Sequence, residues 1–103
     1  MKSALLDKVK SAVRHIEPSA EIILYGSRAR EDFHEGSDWD FLILVDGIID
    51  AVRTDRVRHA IYDVELESNE ILSSIVKSYQ EWDSAKFSVI PLHENIVREG
   101  IVI

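Results

Sequence analysis

The sequence predicts an α/β domain: a small mixed sheet flanked by helices. Between Ile22 and Val45 two short apolar runs, each too short for a helix, are separated by a polar loop. An amphipathic stretch precedes them, and a longer helical stretch leads to a third apolar run. The order helix, strand, turn, strand, helix, strand, helices is that of helices packed on one sheet.

From Ser3 to Ile16, Leu6, Val9, Val13 and Ile16 recur at three- and four-residue intervals, the stripe of an amphipathic helix that Pro18 ends. Arg14 and His15 fall in its last turn, where cations suit the helix dipole. Glu21 to Tyr25 reads as an interior strand. Ser27 to Glu31 is one helical turn and Asp32 to Gly36 a polar loop. Trp39 to Val45 is the second strand, with Phe41, Ile43 and Val45 on one face and Leu42 and Leu44 on the other.

After the Asp46-Gly47 turn, Asp50 to Glu67 reads as a long helix with Val57, Ile61 and Val64 inward and mixed charges outward. Ile71 to Lys77 is a third strand. Ser78 and Glu81 have the spacing of a capping box opening a short helix that carries Trp82. Pro91 starts a last helix, Gly100 closes it, and Ile101 to Ile103 form an edge strand able to pair with a second copy.

At 103 residues the chain encloses one core but not two, so 1–103 is read as a single domain. There is no cysteine, which removes disulfides and thiolate metal sites. No apolar run reaches the length of a membrane span and no signal-peptide pattern opens the chain, so a cytoplasmic protein is expected. A net charge of -7 argues against broad nucleic-acid binding, since a polyanion would be repelled. A single nucleotide arriving with its cation is not excluded, because local arginines outweigh the global sum.

The chemistry-bearing residues gather in one stretch. Asp38 and Asp40 are two apart, so on a strand both carboxylates leave one face, with Cα atoms about 6–7 Å apart. That spacing suits a shared divalent cation. Gly26 lets the backbone turn sharply, and Ser27 offers a hydroxyl and a helix-capping oxygen. One side suits phosphate and the other metal. Trp39, between the acids, points to the opposite face as core. His15, His34, His59 and His93 lack ligand spacing, which speaks against zinc.

The stretch GSRAREDFHEGSDWD, running into FLILV, resembles the Gly-Ser, spacer, Asp-x-Asp signature of the polymerase beta-like nucleotidyltransferases in their minimal form. The ending PLHENIVREGIVI is similar to theirs as well. The resemblance implies the polymerase beta-like fold and transfer of a nucleoside monophosphate, AMP from ATP, to a protein or small-molecule hydroxyl. It implies two Mg²⁺ ions on Asp38 and Asp40, terminal phosphates held by Gly26 and Ser27, and a forked donor from Arg28 or Arg30. It also implies a HEPN-domain partner, with this chain as antitoxin.

Two positions depart from the family pattern. Active members bring a third carboxylate from the next core strand, and here that position aligns near Ser73. Glu70 is the nearest substitute ligand, with Glu65 and Glu67 next. Glu31 stands where the family often has glycine. Three functions therefore stay open: a nucleotidyltransferase, an antitoxin that covers its partner, and a domain kept for self-association through Ile101 and Ile103.

Overall fold

The central strand β2 (Trp39–Val45) organises the protein, and every one of its side chains except Asp40 is buried. The computed structural model describes residues 3–103. Around β2 lie α1 (Ser3–Ile16), β1 (Glu21–Tyr25), α2 (Ser27–Arg30), α3 (Ala51–Ser68), β3 (Leu72–Ser78), α4 (Tyr79–Trp82), α5 (Ala85–Ser88), α6 (Pro91–Glu99) and β4 (Ile101–Val102). The strands form one mixed sheet in the order β3-β2-β1-β4. β1 runs antiparallel to β2 and β4, whereas β3 runs parallel to β2, which requires the crossover that α3 supplies.

Strand alternation divides the core into two layers. Trp39, Phe41, Ile43 and Val45 join Ile22 and Leu24 under α1 and α3, which contribute Val9, Val13, Val57 and Ile61. Leu42 and Leu44 face the other way, against Trp82 of α4 and Ile96 of α6. Each such fully buried aliphatic or aromatic side chain contributes about 1.5–3 kcal/mol, and β2 supplies more of them than any other element.

The helix ends are specified locally. Asp50 caps α3 by accepting from the Arg53 amide, and Asn69 closes it in the left-handed region. Ser78 and Glu81 make the expected capping box. Arg53 grips Glu17 with two donors, Nε and Nη2, each at 2.7 Å, tying the end of α1 to the start of α3. This fork holds the Glu17 carboxyl below the usual glutamate range.

α5 has no counterpart in the sequence reading. It is four residues long, too short to show periodicity, and rests on the Ser84 side chain accepting from the Phe87 amide. The predicted C-terminal edge strand is present as β4, pairing Val102 with Ile23. Among the described residues no helix is long and apolar enough to cross a membrane.

Candidate active site

β1 ends at Tyr25 and is followed by Gly26, whose φ of 75° lies in the region that glycine enters without strain. A Cβ at this position would stand 2.5 Å from Oδ2 of Asp40. The glycine thus serves twice, turning the chain and letting a carboxylate close on its backbone. The β1–β2 register fixes that approach by placing Tyr25 opposite Asp40. Asp38 precedes β2 on the same side and is exposed, while Asp40 is half-buried.

The electrostatics mark the pair as short of positive charge. Burial, and then the neighbouring Asp38, push the Asp40 carboxyl above the usual aspartate range, with Arg30 opposing. Tyr25, beside Asp40, has its hydroxyl pushed up by burial and by the same carboxylate. Tyr25 was not singled out in the sequence. Its place depends on strand register, which a spacer of this length leaves unspecified.

At the other half-site the Gly26 carbonyl accepts from the amides of Ala29 and Arg30, both at 3.1 Å, and opens α2. Gly26 itself occupies the cap position, with no side-chain cap bond, so the expected capping role of Ser27 is not realised. Ser27 is the first residue of the helix and remains partly open to solvent.

The two arginines divide their work. Arg28, expected as a forked phosphate donor, is 6% exposed and committed elsewhere. Its guanidinium lies between the rings of Phe33 and Trp39 and donates twice to the Ser37 carbonyl, which corrects that expectation. Arg30 is exposed, donating from Nε to Asp32 and from Nη1 to Glu99 of α6, each at 3.0 Å. Of the two motif arginines it is the one open to solvent.

The expected stand-in for the third carboxylate is also corrected. Asp40 pairs with Ser73 across the parallel β2–β3 ladder, so an uncharged hydroxyl occupies the neighbouring position on the same face. Glu70 does not join them: its carboxylate accepts from the Trp39 indole at 3.2 Å, and Trp39 belongs to the opposite face. Glu65 is turned to the Leu72 amide, and Glu67 to Lys8. Among the described residues no group of three or more histidines or carboxylates could hold a metal ion.

What remains is a pair of hard oxygen donors on an open face beside a glycine turn. Those donors suit Mg²⁺, and the repulsion between Asp38 and Asp40 is what a divalent cation would relieve. Two carboxylates would serve one ion, and among the described residues no third joins them. A groove of about 1050 Å³ between α1 and α3 contains none of the motif residues.

A family model described as a nucleotidyltransferase domain matches residues 6–100. A solved structure described as a toxin-antitoxin with AMP-PNP superposes with a TM-score of 0.67 at 16% sequence identity, over 93% of this chain and 69% of that one. At that identity the likeness establishes the fold. No curated protein matches the chain in sequence. With the family model spanning nearly the whole chain, and the fold agreeing with it, the protein belongs to the nucleotidyltransferase domain family.

Proposed function

We propose that the protein transfers AMP from ATP to a hydroxyl of a protein or small molecule, in the cytoplasm and with Mg²⁺. The observation that carries this reading is the Asp40 carboxylate closing on the Gly26 turn beside Asp38. The acceptor oxygen bonds to the α-phosphorus, the bond from that phosphorus to the bridging oxygen breaks, and pyrophosphate leaves with the electron pair. The acceptor proton passes to solvent. Gly26 and Ser27 present the turn to the terminal phosphates, and Arg30 meets their charge by exchanging its surface pairs with Asp32 and Glu99. Asp38 and Asp40 would hold the cation, which when bound neutralises the triphosphate.

Ser73 favours a second reading. With a hydroxyl where a third carboxylate would assist the reaction, the protein would bind nucleotide, turn over slowly and act as an antitoxin by covering a HEPN-type partner. The fold neighbour described as a toxin-antitoxin with AMP-PNP supports either version. Intact-mass measurement of a co-expressed HEPN partner separates them. A partner carrying added AMP, lost with Asp38→Asn plus Asp40→Asn, supports transfer; an unmodified, tight complex supports covering. A partner neither modified nor bound contradicts both.

A further inference from the structure

We propose that Arg28 is the positioning residue that sets the Asp38–Asp40 pair against the Gly26–Ser27 turn. This rests on the nucleotidyl-transfer reading and assigns a role within that site.

A buried guanidinium requires compensation, and Arg28 finds it without a carboxylate. Its Nε and Nη2 converge on the Ser37 carbonyl at 3.3 and 3.1 Å. Its Cζ lies 4.2 Å from the Phe33 ring centroid and 4.4 Å from that of Trp39. The two holds fall on either side of Asp38: Ser37 precedes it, and Trp39 separates it from Asp40. Arg28 itself is two residues beyond Gly26, in α2. One flat group therefore ties both halves of the site together across a spacer whose residues are mostly exposed.

Trp39, on one flank of Asp38, is anchored besides by its place in the core, by its amide donating to the Ile71 carbonyl at 2.9 Å and by its indole donating to Glu70, so it is the Ser37 flank that depends on Arg28. On that flank the Ser37 amide donates to the His34 carbonyl and the His34 amide to the Ser37 hydroxyl, closing a turn within the loop itself. Asp38 leaves that turn with an exposed side chain, so its direction follows from where Ser37 and Trp39 are held. Lysine would keep the charge but lose the fork and the flat stacking surface, so it is not an equivalent.

The test is Mn²⁺ affinity of the nucleotide-free protein, read from the free-ion signal in electron paramagnetic resonance. Arg28→Lys is expected to weaken Mn²⁺ binding about tenfold or more. Phe33→Leu removes one stacking face from an exposed position, so the fold persists even if Arg28→Lys does not fold. It is expected to weaken binding about threefold, with a thermal midpoint within about 3 °C of wild type. In transfer assays the same variants lower kcat and leave the KM for ATP near wild type. Wild-type Mn²⁺ affinity in Phe33→Leu, and in Arg28→Lys where it folds, overturns the positioning role alone. A wild-type protein that binds no Mn²⁺ overturns the site reading and this role with it.

Discussion

Asp40 and Ser73 are paired in register on neighbouring parallel strands, side chains on the same face. A single substitution can therefore place a third carboxylate beside the first two. Ser73→Asp is expected to raise affinity for Mn²⁺ about tenfold by adding a charged ligand, and to raise the rate of AMP transfer. Without metal the same variant melts lower, since three carboxylates then share one cleft. Calorimetric titration and a thermal melt in chelator check the two halves.

Gly26→Ala brings a Cβ to 2.5 Å from Oδ2 of Asp40 and forces on an L-residue a φ of 75° with a ψ of -158°, a region almost confined to glycine. The backbone alone costs about 1–3 kcal/mol. A loss of that size lowers the midpoint by about 4–8 °C per kcal/mol. The displaced Asp40 carboxylate also costs metal binding. Urea unfolding and Mn²⁺ titration of the variant should show both losses together.

The pH dependence of stability follows from Asp40. Burial and Asp38 raise its folded pKa above the ordinary value of 3.8, so the folded state holds that proton more tightly than the unfolded chain does. The resulting stability is present below 3.8 and is lost as pH rises through the folded pKa. In chelator at neutral pH, Asp40→Asn should melt above wild type, and the gap should close in acid. Mg²⁺ should raise the wild-type midpoint and leave the variant nearly unmoved. Melts across pH, with and without Mg²⁺, read these signs.

Glu31 caps α2 in the left-handed region at a φ of 64°, which accounts for the glycine the family often carries there. Glu31→Gly should stabilise the protein by about 0.5–1 kcal/mol, the relief of strain being partly offset by the entropy of the unfolded glycine. Equilibrium urea unfolding measures the gain.

Much of the fold was legible because β1 and β2 are short apolar runs with marked ends, and alternation along β2 put Trp39 in the core and both acids on the other face. The glycine turn and the acid pair were legible for the same reason. The burial of Arg28 was not, since an arginine in a single helical turn beside the glycine reads as a phosphate donor or a solvated group, and its burial needs the Phe33 and Trp39 rings that only the folded loop brings together. Glu70 misled because its nearness in sequence to β3 carries no information about which face its carboxylate takes. In the fold that carboxylate accepts from the Trp39 indole.

The central claim is that Asp38, Asp40 and the Gly26 turn together hold a nucleoside triphosphate with its cation. Calorimetric titration with a non-hydrolysable ATP analogue in Mg²⁺ tests it most directly. Saturable one-site binding that disappears in chelator and in Asp38→Asn plus Asp40→Asn is the predicted result. Absence of binding to the wild type, or binding that the double variant retains at full strength, would contradict it.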